Sequence, residues 1–277
     1  MAEAARRIQA GDITMEVTVT GAGPDLLLVH GFPHTRQVWS LLVDELARSH
    51  RVIAPDLRGT GGSTRAAGGY DAASLAADLE SLLDELEVTR TDAVAIDAGV
   101  PAAFLLATQQ PDRIHRLVLM ESTLGTLPGA EGFFRAGAPW WFGFHQVPGL
   151  AETVLVGHEG EYLDFFYRTG TFGGHGIDRG IRDAFVAAYA GRESLRCAFE
   201  FYRAMPQSAA QIADVAAATR LRVPTMAIGA EPVGDALYRQ LIPITDTLTG
   251  EQISQCGHII PLDKPAALST LLGDFLA

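Results

Sequence analysis

Three side chains of this 277-residue sequence have types and spacings that suit covalent chemistry: Asp97, Glu121 and His258. Asp97 lies in Val94-Ala95-Ile96-Asp97-Ala98-Gly99-Val100-Pro101. The apolar run Asp92 to Ile96 predicts a buried strand, and Pro101 suits the first turn of a helix. Asp97 therefore falls on a sharp strand-to-helix turn, with Ala95 two residues before it and Gly99 two residues after. A turn that tight and strained has room only for small neighbours. An Asp here could also do no more than cap the helix that follows, and the octapeptide alone does not decide between the two. Glu121 ends the next predicted strand, and His258 follows Gly257 after the last one. A carboxylate, an imidazole and a second acid at strand ends are what a nucleophile, its base and the group orienting that base require. A carboxylate is a poor nucleophile at a carbonyl carbon. It can displace a leaving group from an sp3 carbon, and a histidine-activated water can then cleave the resulting ester.

The elements that must position these groups alternate. Ile13 to Thr20 has the alternation of a half-buried strand. Asp25 to His30 predicts a buried strand running into His30-Gly31-Phe32-Pro33. An amphipathic helix is expected over Thr35 to Ser49, with Trp39, Leu41, Leu42 and Leu46 on its apolar side. Arg51 to Pro55 is the next strand, followed by the glycine-rich loop Asp56 to Ser63. Asp71 to Glu87 predicts a helix, and Ile114 to Met120 a strand. This rhythm argues for a parallel sheet with helices on both faces. It stops near Gly125. From there to Met205 lie ten of the thirteen Phe, four of the six Tyr and two of the three Trp, which predicts a helical insertion with aromatics facing a cavity. The rhythm resumes with a strand at Val223 to Gly229, a helix at Asp235 to Leu241, a last strand at Gln252 to Cys256 and a closing helix at Lys264 to Leu276. The expected division is a core over 1–125, a helical cap over 126–210 and the rest of the core over 211–277.

Composition narrows the function classes. With 48% hydrophobic and 19% charged residues the chain can bury a sizeable core. A formal net charge of -12 disfavours nucleic acid and anionic membranes as partners. Met1 to Asp12 is polar and has no apolar segment like that of a signal peptide, and no apolar run is long enough to span a bilayer. Cys197 and Cys256 have no metal-ligand spacing or disulfide framework, so two reduced thiols in a cytoplasmic protein are expected. His34, His50, His115, His145, His158 and His175 show no paired spacing for a metal. His30 is expected to hold its loop by hydrogen bonds, and Asp56 to fix the glycine-rich loop. No cofactor is implied, the expected partner is a small apolar molecule, and a homodimer is left open.

Taken together, the His-Gly-x-Pro loop, the Asp56 to Ser63 loop, the small-x-Asp-x-small turn, the insertion and the final Gly-His resemble the α/β-hydrolase superfamily over nearly the whole chain. The resemblance implies an α/β fold with a mostly parallel central sheet flanked by helices, with a helical cap domain inserted. It implies a nucleophile elbow carrying Asp97 where an esterase has Ser. It also implies an oxyanion hole from the backbone N–H groups of Phe32 and Ala98. The Asp-dependent branches of the superfamily are epoxide hydrolases and dehalogenases. Glu200-Phe201-Tyr202-Arg203-Ala204 resembles the segment carrying the cap tyrosine of epoxide hydrolases, which makes Tyr202 the expected ring-opening acid. Trp140-Trp141 lies in a segment similar to the His-Trp of fluoroacetate dehalogenases, and an indole N–H could contact an epoxide oxygen or a halide.

Two departures count against dehalogenases. Fluoroacetate dehalogenases carry Arg directly after the nucleophile and again three residues on; here those places are Ala98 and Val100-Pro101. Haloalkane dehalogenases carry Trp directly after it. The residue before the nucleophile, usually His in both branches, is Ile96. For the orienting acid, Glu121 is preferred, and Glu231 or Asp235 after the later strand is the alternative. Asp235 would otherwise cap the helix that follows it. The expectation is a cofactor-independent epoxide hydrolase acting through an Asp97 ester on a bulky apolar or aromatic epoxide. A dehalogenase of a neutral organohalide is the second reading, and a non-catalytic binding protein on the same fold is the third.

Overall fold

The computed structural model describes residues 5–277, so the first four residues of the polar N-terminal stretch lie outside it. Among the described residues eight strands form one sheet: β1 (Arg6–Ala10), β2 (Ile13–Thr20), β3 (Asp25–Val29), β4 (Arg51–Pro55), β5 (Thr91–Ile96), β6 (Ile114–Met120), β7 (Thr225–Gly229) and β8 (Leu248–Gln252). Their spatial order is β1-β2-β4-β3-β5-β6-β7-β8. The two pairings of β2 are antiparallel, and from β4 to β8 the sheet is parallel. This is the α/β-hydrolase architecture.

From β3 the chain moves to one side to form β4 and then crosses to the other side of β3 to form β5. That makes the carboxyl ends of β3 and β5 the switch point at which open α/β sheets bind ligands. β5 is buried along its whole length. Its side chains alternate between two cores, Ala93 and Ala95 on one face and Val94 and Ile96 on the other. Helices Ala72–Glu85 and Val100–Gln109 cover the first face, and Pro265–Leu276 packs on the second.

Three elements depart from the expected ones. The segment Thr35 to Ser49 is a 3-10 turn, Arg36–Trp39, and a short helix, Val43–Leu46, with Leu41 exposed. A tertiary tether overrides the helical pattern: Asp56 accepts hydrogen bonds from both the backbone N–H and the guanidinium of Arg36. The last strand is Leu248–Gln252 rather than Gln252 to Cys256. As an edge strand it leaves most of its side chains exposed and shows no hydrophobic signal, while the buried Ile253 and Cys256 belong to the turn that follows it. β1 is a second polar edge strand that carries no sequence signal.

Between β6 and β7 the chain forms six α-helices: Trp140–Gln146, Leu150–Leu155, Glu159–Thr169, Arg179–Tyr189, Arg192–Arg203 and Met205–Ala218. The last crosses the expected boundary at residue 210. It continues because it docks on the start of helix Ala72–Glu85, where Ser208 and Gln211 accept hydrogen bonds from the free N–H groups of Ala72 and Ala73. Tyr167 and Tyr189 reach down from these helices and donate to the carbonyls of Pro33 (3.2 Å) and His34 (2.8 Å). Among the described residues no helix is long and apolar enough to cross a membrane.

Candidate active site

The turn after β5 holds Asp97 in left-handed backbone conformation, φ +53°, which a non-glycine residue adopts only when its surroundings impose it. The close approaches explain the small neighbours. A Cβ on Gly99 would meet the carbonyl oxygen of His30 at 2.4 Å, and one on Gly31 would meet Asp97 Oδ1 at 2.4 Å. Asp97 Oδ1 accepts from the N–H of Phe32 at 2.7 Å, and the N–H of Ala98 also bonds this carboxylate. Asp97 Oδ2 lies 3.2 Å from His258 Nε2. The far side of that imidazole, Nδ1, is 3.1 Å from Glu121 Oε2.

Glu121 is buried, and its other oxygen accepts from the N–H of Ala230 at 2.5 Å. Of the three acids considered for this place, the structure brings Glu121 alone to the imidazole. Glu231 accepts from the N–H of Gln255. Asp235 stands at the N-cap position of the next helix without a capping bond and instead pairs with Arg239 at 2.7 Å.

Burial opposes charge on both central groups. For Asp97 it is outweighed by the hydrogen bond and charge of His258 and by the Ala98 N–H, so the carboxyl is held below its usual range. For His258 it is outweighed by the hydrogen bonds and charges of Asp97 and Glu121, which bring the imidazole up to about 10. At neutral pH the resting pair is thus a carboxylate facing an imidazolium.

His30 holds the loop after β3. Its Nδ1 lies 2.9 Å from the Gly31 carbonyl, and its Nε2 accepts from the N–H of Leu57 at 3.0 Å. Asp56 accepts from the N–H of Gly62 in the glycine-rich loop.

Above Asp97 lies a cavity of about 800 Å³, lined among others by Phe32, Trp141, Phe142, Phe166, Tyr202 and Ile259. Tyr202 is buried, and that burial pushes its phenol well above 10. The Trp141 side chain, whose indole N–H can only donate, weakly opposes that shift. The tyrosine ring packs edge-on to Phe32 at 5.3 Å. Trp140 does not share this place. It is 56% exposed and outside the cavity wall, packed against Phe165 and Phe144. Successive residues of a helix point about 100° apart, so only one of the pair can face the cavity.

Two contributors were not singled out by sequence reasoning. Asp263, five residues after His258, accepts from the N–H groups of Gly257 (2.6 Å) and Phe172 (2.9 Å) and pins the His258 loop to the helical insertion. Its place in the closing Gly-His segment was the only available signal. His34 lines the cavity fully buried, and burial pulls its imidazole down to about 3.

Comparison with known proteins agrees with this fold. A family model described as alpha/beta hydrolase fold matches residues 24–178. The chain is 25% identical to the soluble epoxide hydrolase of Corynebacterium sp. (strain C12), over 91% of this chain and 89% of that protein. It is 31% identical to the 2-hydroxymuconate semialdehyde hydrolase of Pseudomonas sp. (strain CF600), over 99% and 94%. The crystal structure of Cfl2 from Burkholderia cenocepacia superposes with a TM-score of 0.91 at 29% identity, covering 99% of this chain and 95% of that one.

Proposed function

The chain belongs to the α/β-hydrolase family as a hydrolase with epoxide hydrolases among its relatives, and from that premise we propose that it opens an apolar epoxide to a diol through an ester on Asp97. The observation that carries this reading is the split use of one carboxylate. Asp97 Oδ1 accepts from the N–H of Phe32 and the N–H of Ala98 also stabilises the carboxylate, while Oδ2 faces His258 beneath a wall that presents a phenol and an indole N–H. Oδ2 attacks a ring carbon, the C–O bond breaks, and the ring oxygen takes the proton of Tyr202. Burial of Tyr202 keeps it neutral and able to donate until that moment.

Ester formation removes the charge of Asp97, one of the two carboxylates that hold a proton on His258. The imidazole then releases this proton, which restores Tyr202 through solvent. Neutral His258 takes a proton from water, and the hydroxide oxygen adds to Cγ of the ester. The negative charge gathers on Oδ1, which already faces the N–H of Phe32, with the N–H of Ala98 also stabilising this carboxylate. Collapse expels the diol oxygen, which takes a proton from His258. The carboxyl left on Asp97 returns its own proton to His258. The sum is epoxide plus water to diol. The helical insertion serves as the cap, supplying Tyr202 and excluding bulk water.

The donors Trp141 and Tyr202 would also suit a departing halide, and this keeps a dehalogenase as the second reading. One experiment separates the two. His258→Gln should alkylate and then stall, so its intact mass rises by one whole epoxide, or by an organohalide minus HX for a dehalogenase. Asp97→Asn should gain nothing. No adduct on His258→Gln with a substrate that the wild type consumes would end the ester mechanism.

A further inference from the structure

One end of the cavity is closed by buried side chains and is mainly hydrocarbon. It is walled by Tyr70, Ala72, Leu75, Phe201, Ser208 and Ile212. Ala72, Leu75 and Ile212 belong to the core on one face of the sheet, whereas Phe32, Phe166, Tyr202 and Ile259, which line the rest, belong to the core on the other. Asp97, at the carboxyl end of the central strand β5, lies between the two ends. The closed end is sealed by a seam of hydrogen bonds between helices Ala72–Glu85 and Met205–Ala218. Ser208 Oγ accepts from the N–H of Ala72 at 3.0 Å, Gln211 Oε1 accepts from the N–H of Ala73 at 3.0 Å, and Gln211 Nε2 donates to Asp71 Oδ1 at 2.7 Å. Tyr70 is fixed as its end wall, donating its hydroxyl to the Ala66 carbonyl at 2.8 Å and standing edge-on to Phe201.

Apart from the O–H of Ser208, the few polar atoms there are thus already engaged and have little to offer a ligand. Among the described residues that line the cavity there is also no Lys or Arg to meet an anion. Resting on the epoxide reading, we infer that the substrate is a neutral epoxide substituted on both ring carbons. One unbranched or cyclic hydrocarbon substituent fills this closed end, and the other lies towards Phe166 and Ile259. A ring carbon bearing only hydrogens leaves one end of the cavity unfilled. A hydroxyl or carboxylate at the tip of the buried substituent is stripped of water with no partner to replace it.

The test is a matched series of trans-disubstituted epoxides with one substituent fixed and the other lengthened by single methylenes. Terminal epoxides of equal carbon number and ω-hydroxy analogues run alongside. Expected is a rise in kcat/KM of about fourfold per methylene, the equivalent of ~0.8 kcal/mol of buried CH2, up to a sharp break where the closed end is full. The terminal isomers and ω-hydroxy analogues should fall at least about tenfold below their partners. Leu75→Phe and Ile212→Phe, which thicken the wall, should each move the break to a shorter substituent. The position of the break is read within each variant, so a variant of low overall activity remains informative. A flat series, a terminal preference or equal turnover of the ω-hydroxy analogues overturns this inference and leaves the epoxide reading standing. If no member of the series yields a diol, both fall together.

Discussion

Replacing Glu121 by Gln is the sharpest perturbation of the site, because both oxygens of Glu121 have a donor facing them. Oε1 accepts from the Ala230 N–H at 2.5 Å and Oε2 faces His258 Nδ1 at 3.1 Å. An amide has one oxygen to serve both. If that oxygen stays with Ala230, the NH2 group faces Nδ1 and selects the tautomer with its proton on Nε2. That nitrogen is the one nearest Asp97 and the one that must take the proton from water. If the amide turns the other way, two N–H donors confront each other in a buried place, at a cost of about 1–3 kcal/mol. Loss of a charge-assisted hydrogen bond to the imidazolium costs about 1.5–3 kcal/mol, or roughly 10- to 150-fold in rate. With the tautomer effect added, ester hydrolysis should slow by about 10²–10⁴-fold.

Ring opening uses Asp97 and Tyr202 and no base, so it should change far less. Stopped-flow single turnover separates the two phases, and the alkyl-enzyme should accumulate. The pH dependence has a definite sign. Asp97 and Glu121 together raise His258 to about 10 against the pull of burial. Removing one carboxylate lowers it, so the acid limb of ester hydrolysis must move to lower pH, even as the plateau drops. Hydrolysis within threefold of wild type would refute the assignment. So would an equal loss in Glu231→Gln or Asp235→Asn, whose side chains the structure places on Gln255 and Arg239.

Tyr202→Phe should leave the packing against Phe32 nearly intact and slow alkylation by about a hundredfold or more, and an unchanged pre-steady-state burst would show that the proton comes from elsewhere. Trp141 and Trp140 should part company. Trp141→Phe removes an indole N–H from the cavity wall and should slow alkylation by about tenfold, whereas Trp140→Phe, on an exposed ring, should stay within about twofold; equal effects in single-turnover rates would contradict the placement.

The sequence by itself determined the parts of the site that are local in the chain. The turn carrying Asp97 is legible because its sterics reach only two residues each way, so Ala95 and Gly99 announce it. The parallel core is legible because buried strands and amphipathic helices write their periods into a few consecutive residues. What lay beyond were choices set by partners distant in sequence. The sequence prefers Glu121 to Glu231 and Asp235 but leaves all three open. The choice among them depends on β6 lying beside β7, so that the Ala230 N–H holds one oxygen of Glu121 and turns the other to His258. The tryptophan pair is likewise ambiguous until the rotation of its helix over the cavity is known. The edge strands β1 and β8 were invisible because a strand paired on one side can leave most of its side chains in water, and then no hydrophobic pattern records it. The closed end of the cavity exists only where Ser208 and Gln211 meet the first turn of a helix more than a hundred residues earlier in the chain, a contact that no local pattern encodes.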